Sequence, residues 1–303
     1  MSFISNDYIN SIERGYGDSD KKLCHECIGN KSLKEYIKAN GYVCTCDYCG
    51  QRRKAVNLDS FMVIIMSGVN FLYTHAVNEL PCDSGEYIGK TYTTAQLIFE
   101  ELRDEIDAQD ERILKDIVEI MYDDIWCDAD PFSDREEDVA YYDWQSFCKM
   151  VKEKVRYVFY RATPDTSFNE NPTTILDTLA YYAERVRLDR RIDKNTKMYR
   201  CRTHENDEWR TAYADFAPPP PWVATSGRMN AAGINVLYLT LDPNTALCET
   251  RTSGRDYATI ASFRVTESIR VLDLTKIKKM SIPSIFDDDN RHNRSPVMFL
   301  QKF

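Results

Sequence analysis

The chain has no uninterrupted run of about 18 apolar residues, the length a helix needs to cross a bilayer. Its nearest approach, Phe61 to Leu80, is broken by Ser67, Asn70, His75, Asn78 and Glu79. The amino terminus, Met1-Ser-Phe-Ile-Ser-Asn, lacks the basic start and the apolar stretch of a secretory signal. A basic surplus is missing as well: 39 Lys and Arg face 48 Asp and Glu, for a formal net charge of -9. That balance argues against a general nucleic-acid or membrane-surface binder, which needs a cationic face. Ten cysteines without a secretory signal read as thiols or metal ligands rather than a disulfide framework, and the expected location is the cytoplasm. What is present is 303 residues, 43% of them hydrophobic, enough for packed cores and for more than one domain.

Cys24-His-Glu-Cys27 and Cys46-Asp-Tyr-Cys49 form two C-x-x-C pairs with 18 residues between them. Each pair offers two thiolates from one tight turn, and four thiolates complete a closed tetrahedral Zn(2+) site of the zinc-ribbon or treble-clef type. A closed site is structural, so no catalysis is assigned to it. Free cytosolic cysteines are the alternative, with His25 and Cys44 as spare donors. Arg52-Arg53-Lys54 follows the second pair, a small footprint that reads as a solvated face; nucleic acid is not an expected partner.

Beyond Asn57 the pattern turns helical. Asp59 caps an expected helix over Phe61 to Leu80, apolar all round and therefore buried or an oligomer interface. Thr94 to Ile106 is amphipathic, and Asp110 caps a helix expected to reach Trp126. Asp123 to Asp138 carries eight carboxylates against one arginine and reads as a solvated loop. Two further helices, Tyr142 to Tyr160 and one from Thr173 or Thr174 to about Arg187, complete a helical bundle. Arg185 to Lys197 is charged without apolar periodicity and is the expected domain boundary.

The stretch from Met198 to Thr252 carries the candidate chemistry. Val236 to Leu241 is short, apolar and β-rich, so a buried strand is expected. Asp242-Pro243 is a helix start, which puts Glu249 about two turns into that helix. Gly227 before Arg228 suggests a tight turn. Arginine's planar fork suits phosphate, and a fixed glutamate can steady a developing cation. An ion pair that only holds the fold is the competing reading. Tyr257 to Val265 and Ile269 to Leu274 alternate as two strands, expected to form a hairpin or neighbours in one sheet. Phe299 to Phe303 is an apolar pattern just turning helical; one turn buries too little to order itself, so a fragment or a naturally shortened domain is expected.

Tyr199-Arg200, Gly227-Arg228-Met229-Asn230, Leu237-Tyr238-Leu239 and Thr245-Ala246-Leu247-Cys248-Glu249, in that order, resemble the RES domain. The resemblance implies an ADP-ribosyltransferase-like fold and the activity of NAD-consuming toxins. It implies Glu249 and Arg200 as catalytic residues, and Arg200, Arg228 and Tyr238 as residues that bind NAD. Tyr238 could equally pack in a core. The family's serine has no good counterpart, since Ser295 in Arg294-Ser-Pro-Val precedes the apolar run. The preceding region, led by the two cysteine pairs, resembles the HEPN-like domain found attached to RES domains. Nuclease HEPN members have an arginine followed, after four to six intervening residues, by a histidine; none of His25, His75, His204 and His292 has an arginine at that distance upstream, so ribonuclease activity is not expected.

The expected architecture is α+β: a zinc module at 1–57, a HEPN-like bundle at 58–190 and a RES domain at 197–303. The expected activity is cleavage of the nicotinamide–ribose bond of NAD by water, phosphate or a protein acceptor. Expected partners are NAD, a neutralising antitoxin or other protein, and a second copy through the helical domain. The alternative is a zinc-bearing interaction module with an inactive RES remnant.

Overall fold

A computed structural model describes residues 14–153, 172–205, 207, 210–227, 230–250 and 257–302. The chain is α+β, as its patterning implies. It forms two compact units, one of residues 188–274 and one of the residues before 188 joined by those from 275 onward.

The first unit begins with a three-stranded antiparallel sheet. Strands β1 (Lys22–Cys24) and β2 (Tyr42–Thr45) flank β3 (Arg52–Asn57), with Cys24 opposite Ala55 and Cys44 opposite Arg53. Helix α1 (Lys31–Asn40) joins the outer strands. It starts there because the Asn30 carboxamide accepts from the Ser32 and Leu33 amides, and it docks through Leu33 and Ile37, one turn apart. Helix α2 (Leu58–Leu72) follows directly and buries Phe61, Met62, Ile65 and Val69. Asp59 lies inside its first turn rather than capping it; the N-cap is Asn57, without a side-chain bond.

Two expected helices are shorter than their apolar runs. Helix α2 stops at Leu72, and Tyr73–His75 becomes strand β4; helix α3 (Glu111–Ile120), capped by Asp110 as expected, gives way to strand β6 (Ile125–Asp128). Strand β6 pairs with both β4 and β5 (Tyr92–Thr93). The β-branched and aromatic residues Tyr73, Thr74, Ile125 and Trp126 fit a pleated surface better than a helix interior. The pairing also buries Trp126, whose Nε1 donates to Thr94 Oγ1 at 3.1 Å.

Helices α4 (Glu136–Glu153) and α5 (Pro172–Arg185) pack together, and the returning chain closes on them. Its last element, Arg294–Lys302, is a nine-residue helix, longer than the single turn expected from Phe299 onward, and it buries Val297, Phe299 and Leu300. It packs on α4 and α5, with the Phe299 ring edge-on to Tyr182 at 5.6 Å. Upstream, Ile285 and Phe286 enter the core beside α2. Arg291 Nη1 donates to the Ser67 carbonyl at 2.9 Å, and Arg294 pairs with Glu105.

The second unit is built on an antiparallel ribbon. Strand β7 (Asp189–Ile192) pairs with β10 (Ile269–Leu272), and β8 (Lys197–His204) pairs with β9 (Tyr257–Arg264). The two ladders are successive stretches of one ribbon, linked by bonds from Asn195 N to Val265 O and from Val265 N to Thr196 O. So β9 and β10 are not each other's partners; both face the 189–204 segment. The charged stretch after Arg185 is accordingly part strand. Val236 to Leu241 is not a buried strand either. Only Thr240 joins the sheet, through reciprocal bonds to Tyr199 of 2.8 and 2.9 Å. The chain is tied at Asn230 upstream and turned into a helix at Asp242 downstream, which leaves one point of register.

Candidate functional site

Arg200, Arg202, Tyr238, Thr240, Ala246 and Glu249 line one cleft of about 390 Å³ in the second unit. Its floor is β8. Side chains alternate along a strand, so Arg200 and Arg202 project to the same face.

Arg200 is only 9% exposed. Its Nη1 donates to the Phe216 carbonyl at 2.7 Å and the Ala217 carbonyl at 3.1 Å. No ion pair joins it to Glu249 or any other carboxylate among the described residues. Burial pushes its pKa below the usual guanidinium value, and the nearby Arg202 charge pushes the same way. The cleft therefore holds a desolvated cation with a second cation beside it.

Glu249 is the last residue of helix α6 (Pro243–Glu249), two turns from its start as expected. That start is fixed by Asp242, whose carboxylate accepts from the Thr245 amide at 2.7 Å and hydroxyl at 2.9 Å. These bonds hold the Asp242 carboxyl below the usual range. Ala246 is buried where α6 packs on β8 and β9, and this contact sets where the helix delivers Glu249. Glu249 itself is exposed at the cleft.

Tyr238 is exposed rather than packed in a core. Its hydroxyl donates to Asn230 Oδ1 at 2.6 Å, and the Asn230 amide donates to Thr225 O at 3.0 Å and Ile234 O at 2.9 Å. The Gly227 amide closes the loop onto Asn230 O at 2.9 Å. A Cβ at Gly227 would meet Asn230 Oδ1 at 2.5 Å and the Tyr238 hydroxyl at 2.7 Å, so close approach demands glycine there. Arg228 lies outside the described residues; in sequence it follows this tied glycine. Sequence reasoning missed Arg202, two residues beyond the Tyr199-Arg200 motif, and Asn230, which lies in a motif that does not single it out. The i, i+2 spacing of Arg200 and Arg202 on a strand is the signal that marks the first; nothing local marks the second.

The four cysteines come together in the first unit. Cys24 Sγ lies 3.5 Å from Cys27 Sγ and 3.6 Å from Cys49 Sγ, and Cys27 Sγ lies 3.8 Å from Cys46 Sγ. All four sulfurs fall within 4.8 Å of one another, without His25 or Cys44. Zn–S bonds of about 2.3 Å set tetrahedron edges of about 3.8 Å, so the cage fits a four-coordinate metal ion. Burial pushes the Cys24 and Cys27 thiols up. Burial acts upward on Cys49 too, but the Gln51 backbone and the neighbouring sulfurs bring it down to about 7. The second turn is closed by Gly50, at φ +68°, whose amide donates to Cys46 O at 2.9 Å.

Residues 39–165 match the family described as HEPN/RES N-terminal domain 1, and residues 197–297 match the RES domain. The chain carries a RES domain behind a HEPN/RES N-terminal domain. This is the architecture the motifs imply. The RES match runs beyond the compact unit 188–274 into the returning segment of the first unit. Nothing among curated proteins or solved structures matches the chain. RES domains are associated with NAD-related toxin activity. No helix among the described residues is long and apolar enough to cross a membrane.

Proposed function

We propose that the RES domain consumes NAD by cleaving the bond between nicotinamide and ribose. The observation that carries this reading is the buried Arg200 charge, held by carbonyls and paired with no carboxylate among the described residues, at the base of a cleft that Glu249 also lines. Burying a cation without a counter-charge is costly, and an anionic ligand removes that cost. A dinucleotide's pyrophosphate is such an anion, and a cleft of this size suits a small-molecule ligand. Departure of nicotinamide leaves an oxocarbenium-like centre on the ribose, and the Glu249 carboxylate, which lines the cleft, stabilises it. Because Glu249 is exposed, the bound ligand itself supplies the shielding that strengthens this contact. Tyr238 lines the cleft while its hydroxyl donates to Asn230; Arg228 is the second ligand arginine by family resemblance. Zinc in the four-cysteine cage holds the amino-terminal fold and takes no part in the reaction.

The test is incubation of the full chain with NAD and measurement of released nicotinamide. Glu249→Gln keeps shape but removes the charge; a contact of this kind is worth on the order of 3 kcal/mol, so turnover should fall by about 10² or more. NAD affinity should change far less. A folded protein that neither binds NAD nor releases nicotinamide overturns the reading.

A further inference from the structure

We propose that Arg202 is a phosphate-gripping residue of the cleft, and that Arg200 and Arg202 together make one face of β8 a diphosphate site. This rests on the NAD reading for the identity of the ligand, but its geometry is independent of the reaction. Residues two apart on a strand project from the same face, about 7 Å apart along it. Both arginines line the same cleft. Their circumstances differ. Arg200 is buried and its Nη1 is committed to the Phe216 and Ala217 carbonyls. Arg202 is half-buried, and no hydrogen bond or ion pair to a described residue holds its guanidinium. Its planar fork is thus uncommitted to any described residue and its donors are available at the cleft, where they suit two oxygens of one phosphate.

Two like charges on one face repel, and a structural role would call for a carboxylate between them. The strand opposite offers Ala261 to Arg200 and Thr259 to Arg202, neither of them anionic. Among the described residues the fold pairs neither arginine with a carboxylate, and the ligand matches this positive charge. Arg200 supplies fixed charge and anchors the loop at Phe216 and Ala217; Arg202 supplies the bidentate grip.

The experiment measures binding of inorganic pyrophosphate, ADP-ribose and adenosine to the full chain, then to Arg202→Gln and Arg202→Lys. Parent protein should bind pyrophosphate and ADP-ribose. Arg202→Gln should weaken both by about tenfold or more, and Arg202→Lys should fall between, because it keeps charge and loses the fork. Adenosine affinity and melting temperature should stay at the parent values, since Arg202 has no described protein partner to lose. In turnover, KM for NAD should rise with kcat unchanged, the sign of binding shared by ground and transition states. Arg202→Gln binding ADP-ribose as tightly as the parent overturns the proposal even where NAD is consumed. Equal loss of adenosine and pyrophosphate binding overturns it too, as does a parent protein that ignores pyrophosphate. Pyrophosphate binding that depends on Arg202 in a protein that releases no nicotinamide supports this site and sinks the NAD reaction instead.

Discussion

Phe286 fills a notch over Gly68, so shortening it to alanine tests whether the returning segment is a structural part of the first unit. Phe286 is 2% exposed and its neighbour Ile285 is fully buried. A Cβ on Gly68 would lie 2.4 Å from Phe286 Cδ1 and 2.5 Å from Cε1, so helix and ring are in direct contact with no space between. Loss of a buried phenylalanine side chain costs about 3–5 kcal/mol, transfer and cavity together. For a unit of roughly 200 residues each kcal/mol moves the midpoint by about 2–4 °C, so Phe286→Ala should lower its melting temperature by about 6–20 °C. Gly68→Ala should also destabilise, because steric conflict with the ring outweighs the gain of about 1 kcal/mol in helix propensity. In the double variant the new methyl enters the space the ring has left, and the combined loss should be smaller than the sum. Calorimetry on the full chain reads both effects, with near-ultraviolet circular dichroism to follow tertiary packing. An unchanged midpoint for Phe286→Ala, or strict additivity in the double variant, would refute the packing argument.

Purified protein should contain about one zinc per chain, and Cys46→Ser should lose it together with stability of the first unit. Cys46→Ser that keeps full zinc content and melting behaviour would remove the cage from the account. Thiolates bind the metal and protons compete for them, so zinc should be retained at neutral pH and released as the pH falls. Alkaline stability follows the buried phenols. Burial raises Tyr48 and Tyr182 well above the ordinary value and pushes Tyr73 up to about 12. A folded pKa above the unfolded one gives stability that is complete below the ordinary phenol pKa of 10.0 and is lost as pH climbs toward 12. The phenols' contribution to the stability of the first unit should therefore be flat below pH 10.0 and fall above it, and Tyr73→Phe should reduce the alkaline slope. A slope that Tyr73→Phe leaves unchanged would show that other groups govern the alkaline loss.

Much of this protein is legible in its sequence because the signals are local. Cysteine spacing picks out the four thiols that the fold gathers within 4.8 Å of one another, since each pair needs only its own turn to aim two sulfurs. Asp110 and Asp242 mark helix starts because a cap is satisfied by amides two or three residues away. Arg200, Tyr238 and Glu249 are found through ordered motifs, and the fold brings them to one cleft. What the sequence does not disclose depends on distant partners. Tyr73–His75 and Ile125–Asp128 leave helical patterns because they find each other across some fifty residues. Asp189–Ile192 is mostly exposed and charged, so no buried face stamps a period of two on it, and its pairing with the alternating Ile269–Leu272 stays hidden. That Arg200 is held by backbone carbonyls is decided by Phe216 and Ala217, sixteen and seventeen residues on. The place of Phe286 and the final helix is the clearest case. Their apolar pattern says only that they are buried; the notch at Gly68, more than two hundred residues earlier, decides where.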